Sequence, residues 1–386
     1  MKENMKKLLC TVLSLTLILT LFVPSFAAED KKDKTLFFGE DGHFRIMQIN
    51  DTQDLGRLGS RKTVEFIEKA LDELKPDVVV IVGDQLSEYY FVVNEKDMIR
   101  SIKNILTPME ERGIPFLMTL GNHDLDNEAE FTPEMQYAVY SEFQTCYATG
   151  NGTDDFTYSV PVTSSDGERV ALNIWMMNTH NKTEDGGYAG VSADQVEWYK
   201  STSAALKEEN GGAAVPSVLF QHTPVKEIYT LLLETDVSDK EAIYCGRDDK
   251  WYRLIDGAEG FLGEAPCSEN ADNITGQYEA WLECGDIIGA FFGHDHVNSF
   301  MGTNKDGITM GYNAGTGFRS YGLGADRSVR IFDFNEEDVC NYETRLVTYA
   351  ELTGDDSVFV ITDKVCVLLL TPIMRVVHAV RAHFGK

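Results

Sequence analysis

Val78-Val79-Val80-Ile81-Val82-Gly83-Asp84 decides the fold of this chain. Five consecutive β-branched residues make a strand covered on both faces, the pattern of a strand inside a mostly parallel sheet. The run stops at a glycine followed by an acid, so a carboxylate is delivered at the strand's carboxyl end. In open α/β sheets that edge is where ligands bind.

The same arrangement recurs on either side. Residues 44–49 read as a buried strand ending at Asn50-Asp51. Residues 62–74 carry apolar side chains at Val64, Phe66, Ile67, Leu71 and Leu74, close to helical spacing, and Pro76 introduces the central strand. A helix over 96–106 leads to a third apolar strand, 115–120, which ends at Gly121-Asn122-His123-Asp124. Further strands are expected at 157–162, 170–177, 217–221 and 287–292, with helices at 193–207 and 277–284. From 308 to about 346, short strands between Gly-rich turns close the fold. The expected class is α/β, with two packed mixed β-sheets flanked by helices in one domain over 35–350.

The 386 residues include 43% hydrophobic and 25% charged side chains, ordinary globular usage with no sign of disorder. The first thirty differ. Lys2, Lys6 and Lys7 precede an apolar run over 8–23, and Pro24-Ser25-Phe26-Ala27-Ala28 supplies the small residues of a cleavage site. About 16 apolar residues could nearly span a bilayer as a retained anchor. The small residues and the charged stretch after them favour a signal peptide over 1–27, and hence a secreted or extracytoplasmic protein. Cleavage takes the formal charge from -28 to about -30. Such a chain repels polyanions, and nucleic-acid binding depends on Lys and Arg, so no nucleic-acid partner is expected.

Six cysteines follow the leader, at 146, 245, 267, 284, 340 and 366. An even number permits disulfides in an exported protein; Cys245 with Cys267 is a plausible bridge, and buried free thiols fit the unpatterned spacing equally well. Residues 351–386 form a C-terminal extension. There Ile373, Val376, Val377, Val380 and Phe384 share one helical face, accompanied by Arg375, Arg381 and Lys386. Packing on the domain is the simpler expectation; weak membrane-surface contact is the alternative.

Five motifs each lie just after an expected strand: Asp51-Thr52-Gln53, Gly83-Asp84, Gly121-Asn122-His123-Asp124, Gln221-His222-Thr223-Pro224 and Gly293-His294-Asp295-His296. Singly they are weak, since a Gly-Asp after a strand is more often a turn than a ligand. Together they are specific. The chain has eight histidines, and four of them, His123, His222, His294 and His296, fall in these motifs. Carboxylates, an amide and imidazoles at one sheet edge are a ligand set for hard-to-borderline divalent metals.

The order and spacing of these motifs over 44–322 resemble the calcineurin-like metallophosphoesterases. Gly293-His294-Asp295-His296-Val297-Asn298 and the Gly-rich 311–322 are most similar to the purple-acid-phosphatase-like branch. The resemblance implies a four-layer α/β/β/α sandwich holding two divalent or trivalent metal ions (Mn, Zn or Fe). One would be held by Asp51, Gln53, Asp84 and His296, the other by Asp84, Asn122, His222 and His294, with Asp84 bridging. His123 would be catalytic, with Asp124 or another nearby carboxylate orienting its ring. The implied activity is attack of a metal-bound hydroxide on a small phosphomonoester. The alternatives are phosphodiester hydrolysis at the same metals and a non-catalytic homologue that binds metal or phosphate.

Two departures from the family pattern stand out. Gln53 occupies a position usually held by histidine, which weakens the first metal site or favours a harder ion. Ser87 stands where the purple enzymes place a tyrosine, and Tyr89 and Tyr90 are out of register, so no tyrosinate colour is expected. Arg319 could reach a substrate phosphate. Arg57 and Arg61 suit surface solvation better, His180 a loop structural role, and Asp295 a place behind the ligands. Pocket shape near 181–188 and 248–255 is what would separate monoester from diester chemistry.

Overall fold

The structure, a computed structural model, describes residues 34–54, 61–87, 94–126, 130–184, 186–269, 274–357, 371–377 and 380. The proposed signal peptide, Arg57, Tyr89, Tyr90, Cys366, Phe384 and most of the C-terminal extension lie outside the described residues.

Among the described residues the strands are β1 (Leu36–Phe37), β2 (His43–Ile49), β3 (Val78–Val82), β4 (Phe116–Thr119), β5 (Tyr158–Thr163), β6 (Val170–Met177), β7 (Ser217–Gln221), β8 (Leu232–Thr235), β9 (Ile243–Cys245), β10 (Lys250–Leu254), β11 (Ile287–Phe292), β12 (Met301–Thr303), β13 (Thr309–Tyr312), β14 (Ser328–Asn335) and β15 (Glu343–Thr348). The helices are α1 (Arg61–Leu74), α2 (Glu95–Arg112), α3 (Pro133–Tyr140), α4 (Ala193–Glu209), α5 (Gln277–Cys284) and α6 (Tyr349–Thr353).

A five-stranded sheet has the order β15-β14-β2-β3-β4, and a seven-stranded sheet the order β1-β5-β6-β7-β11-β13-β12. In the first, β2, β3 and β4 are parallel while β14 runs antiparallel to β2 and β15. In the second, β6, β7, β11 and β13 are parallel. Both sheets are mixed, as the sequence predicts.

The five residues of β3 are completely buried, and each contributes roughly 1.5–3 kcal/mol of hydrophobic stabilisation. The sheets meet through aromatic side chains: Phe332 of β14 packs against Phe220 of β7 at 5.5 Å and Phe291 of β11 at 4.5 Å between ring centroids. Helices α1 and α2 bury Phe66, Ile67, Ile102 and Ile105 in the same core. On the far side of the seven-stranded sheet, Trp175 of β6 packs on Trp198 and Tyr199 of α4. That gives the helix, sheet, sheet, helix layering.

The caps explain two helix ends. Asn94 accepts from Asp97 N at the start of α2, and Gly113 ends that helix in the left-handed region. Ser192 and Gln195 form a reciprocal capping box at α4. Helix α2 runs past the expected end at 106 to Arg112, through Pro108.

Two features depart from expectation. A third sheet, β8-β10-β9, lies outside the two main ones, and α3 was not foreseen. The Cys245–Cys267 bridge is not formed, because both are free thiols and Arg247 Nη1 donates to Cys267 Sγ at 2.6 Å. The described residues of the C-terminal extension pack in two places: Leu352 joins the main core and Asp355 pairs with Lys62 of α1, while the segment from 371 lies beside the small sheet. There Arg375 donates to the carbonyls of Val237, Asp239 and Ala242 and lies over the Trp251 ring. Ile373, Val376 and Val380 remain exposed. Among the described residues, no helix is long and apolar enough to cross a membrane.

Candidate metal centre

The candidate ligands project from loops that follow β2, β3, β4, β7 and β11. Their backbones turn sharply to aim side chains at one point. Of seven described non-glycine residues with positive φ, four are Asp51 (51°), Gln53 (41°), Asp84 (55°) and His294 (76°). Strained backbone of this kind persists where surrounding structure fixes it, and it concentrates at functional sites.

Glycine is required beside them. A Cβ on Gly83, whose φ is +77°, would sit 2.5 Å from His222 Nδ1, so no side chain fits before Asp84. A Cβ on Gly317 would sit 2.0 Å from Thr52 O. Through this approach the Gly-rich segment clamps the Asp51 loop, with Thr316 N donating to Asn50 O at 3.0 Å and Gly317 N to Asp51 O at 3.2 Å.

The side chains form two sets with one member in common. Asp84, His222 and His294 bring ligand atoms within 4.8 Å of one another, and so do Asp51, Asp84 and His296. His222 Nδ1 donates to Val82 O at 2.9 Å, which aims Nε2 inward, 3.3 Å from Asp84 Oδ2 and 3.3 Å from His294 Nδ1. His296 Nδ1 donates to Tyr321 O at 2.9 Å, which leaves Nε2 3.3 Å from Asp51 Oδ1. These outer hydrogen bonds fix ring orientation and tautomer, as behind metal-binding imidazoles generally.

Burial by itself would raise both carboxylates. For Asp84 the charge and hydrogen bond of His222, with the charge of His123, outweigh it and hold the group far below the usual carboxylate range. For Asp51 the charge and hydrogen bond of His296 outweigh it and lower the group from its ordinary value. Burial and the neighbouring His222 push His294 down to about 3, keeping it a neutral acceptor. Burial opposes the charged form of His222, but Asp84 raises it to about 10. Asn122 Oδ1 is buried without a hydrogen-bond partner. An orphaned amide oxygen, facing imidazole nitrogens and two ionised carboxylates fit cations. Gln53 fits less directly, since its Nε2 donates to Asp84 Oδ2 at 3.1 Å; ligation requires its oxygen to face inward.

His123 N donates to Asp84 Oδ1 at 2.8 Å, placing this histidine beside the shared carboxylate. The orienting role offered to Asp124 is corrected. Asp124 is buried, and its oxygens accept from Asp84 N, Gly121 N and Leu86 N, each at 2.8 Å. It ties the β3 and β4 loops together. The carboxylate on His123 is Asp126, whose Oδ2 lies 2.7 Å from Nδ1. The 3₁₀ turn His123–Leu125 carries Asp126 back to the ring, a relationship invisible in the motif itself.

The cavity over these residues has a volume of about 280 Å3. Ser87 lines it, as does Tyr321 of the Gly-rich 311–322, and so do Lys182, Tyr188 and Cys267, which belong to none of the motifs. Tyr321 stacks on His296 at 4.3 Å, and Tyr188 meets His294 edge-on at 4.2 Å. Asp295 is buried, accepts from Cys267 N and also lines the cavity, where it brings a ligand atom within 4.8 Å of those of Cys267 and His294. Arg319 is exposed and does not line this cavity; Arg61 is exposed and pairs with Glu65. His180 bonds Gln195 Oε1 at 2.9 Å, a structural role at the α4 capping box.

Comparison with known proteins gives the following. Residues 44–298 match the family described as calcineurin-like phosphoesterase. The chain is 26% identical over 373 residues to an Arabidopsis thaliana protein named probable inactive purple acid phosphatase 14, covering 86% of each chain. It is 25% identical over 334 residues to that plant's probable inactive purple acid phosphatase 29, covering 77% of this chain and 78% of that one. It is 23% identical over 350 residues to Saccharomyces cerevisiae phosphatase DCR2, covering 82% of this chain and 54% of that one.

Proposed function

We propose that this chain, which belongs to the calcineurin-like phosphoesterase family, hydrolyses phosphoric esters at a pair of cations held in common by Asp84. The observation that carries the reading is Asp84 itself, a buried carboxylate that belongs to both ligand sets. Asp51, Gln53, Asp84 and His296 would hold one cation; Asp84, Asn122, His222 and His294 would hold the other. When bound, such a pair (Mn, Zn or Fe) supplies positive charge to phosphoryl oxygens and lowers the pKa of water toward ~7.

The chain's own groups do the rest. Burial disfavours the charged form of His123, but Asp126 and Asp84 outweigh it and raise the ring to about 9. Once cations neutralise Asp84, the Asp126 carboxylate 2.7 Å from Nδ1 is the group that would keep His123 a proton donor toward a leaving oxygen. Lys182 adds a second positive group to the cavity wall. A terminal phosphoryl group with two negative charges matches these cations better than a diester's single charge, which favours phosphomonoesters. Export, from the order of basic, apolar and small residues in 1–27, places the substrate outside the cytoplasm. The acidic balance of the chain disfavours nucleic acid. Weak membrane-surface contact through Ile373, Val376 and Val380 belongs to the same reading.

A second reading, metal or phosphate binding without turnover, is favoured by the hydrogen bond from Gln53 to Asp84, and it accords with two relatives being named probable inactive. Hydrolysis of 4-nitrophenyl phosphate by metal-loaded protein, abolished by chelator and restored by added Mn or Zn, supports the catalytic reading. Tight binding of inorganic phosphate with no turnover of any ester supports the second.

A further inference from the structure

Tyr188 lines two cavities. On one side is the 280 Å3 space over the candidate metal ligands. On the other is a space of about 700 Å3, within the size range of small-molecule sites. Cys267 is the other residue that borders both. The two spaces therefore adjoin across Tyr188 and Cys267.

What that space offers is ring surface. Tyr229 and Tyr252 pack edge to face at 5.5 Å, and both line it together with Tyr188. Two hydroxyls are already engaged by the protein: Tyr229 donates to Pro266 O at 2.8 Å, and Tyr252 to Asp248 Oδ2 at 2.6 Å. The guanidinium of Arg247 is likewise occupied, by Ala265 O at 2.8 Å, Pro266 O and Cys267 Sγ. Of the charged residues in the lining, Arg247 is held by protein groups, Asp248 accepts from Tyr252, Glu269 is raised to about 7 by burial and Lys226 is exposed. The three tyrosine rings are therefore the surface that a bound group would meet.

We propose that the cavity bounded by Tyr188, Tyr229 and Tyr252 is the leaving-group subsite, and that it takes an uncharged planar aromatic or heteroaromatic group. This rests on the phosphoesterase reading and narrows its substrate class to esters of alcohols that carry such a ring. Tyr188 is then a specificity-determining residue.

The test compares naphthylmethyl phosphate with ethyl phosphate on metal-loaded protein; both are alkyl esters, so their leaving oxygens are similar in basicity. A parallel arm measures binding of naphthylmethylphosphonate and methylphosphonate by calorimetry and needs no turnover. The expected preference for the aromatic member is about tenfold in kcat/KM and in Kd. It should fall below about threefold in Tyr188→Ala and Tyr229→Ala and persist in Tyr188→Phe. Tyr229 does not line the cavity over the ligand set, so its variant separates loss of the subsite from loss of a cavity residue beside the metal centre. Equal kcat/KM values for the two esters overturn the subsite and leave the phosphoesterase reading intact. No hydrolysis of either ester counts against that reading; the phosphonates then decide, and equal Kd values overturn the subsite.

Discussion

Asp126, not Asp124, holds the ring of His123, with Oδ2 2.7 Å from Nδ1. If His123 donates the proton to the leaving oxygen, Asp126 sets both its direction and its charge. Asp126→Asn is expected to lower kcat by about tenfold to a hundredfold with little change in KM, while Asp126→Glu recovers part of the loss. Steady-state kinetics on a phosphomonoester checks this; an unchanged kcat for Asp126→Asn contradicts it.

Asp124 has the opposite signature, because it acts on the fold. Asp124→Ala leaves the N–H groups of Asp84, Leu86 and Gly121 without their acceptor in a buried site. The expected cost is about 3–5 kcal/mol, read from urea unfolding. A midpoint equal to that of the parent protein would show that these three bonds contribute nothing.

Glu269 makes stability depend on pH. It is buried, its Oε2 has no hydrogen-bond partner, and burial with help from Glu227 and Glu279 raises it to about 7. In the unfolded chain it titrates near 4.5. Between those values the folded state binds more protons than the unfolded state, so this group's contribution falls as pH rises and stays low above 7. Glu269→Gln should therefore gain about 2 kcal/mol over the parent between pH 5.5 and pH 8. Paired denaturation curves at the two pH values measure the gain, and a difference independent of pH argues that the group is not held protonated.

Gln53 offers a gain-of-function test. Gln53→His places an imidazole where the amide now donates to Asp84 Oδ2, adding a stronger donor to the set of Asp51, Asp84 and His296. Zinc affinity at the weaker site should rise by about tenfold or more, measured by competition with a chromogenic chelator. Unaltered affinity would place residue 53 outside the ligand set.

The strands of the two sheets were legible because each apolar run ends at a polar motif. Residues 78–82, 170–177, 217–221 and 287–292 are strands over those spans. The small β8-β10-β9 sheet escaped because strands such as Leu232–Thr235 and Ile243–Cys245 are short and half exposed, without an unbroken apolar run. The polar motifs converge because the loops after β2, β3 and β4 of one sheet meet those after β7 and β11 of the other, where the two packed sheets lie against each other. Asp126 was missed for a different reason: it reaches the site through a turn, and linear spacing carries no trace of that geometry. Tyr188 and Tyr252 fall in the two segments, 181–188 and 248–255, picked out as able to shape the pocket, although their aromatic function appears only once they share a cavity.

Elemental analysis and electron paramagnetic resonance of the manganese-loaded chain, alongside Asp84→Asn, ask most directly whether one side chain unites two ions. Two manganese ions per chain with a spin-coupled signal are expected, and the coupling and at least one ion should be lost in Asp84→Asn. A single ion per chain, or a pair unaffected by Asp84→Asn, would contradict a centre built on that carboxylate.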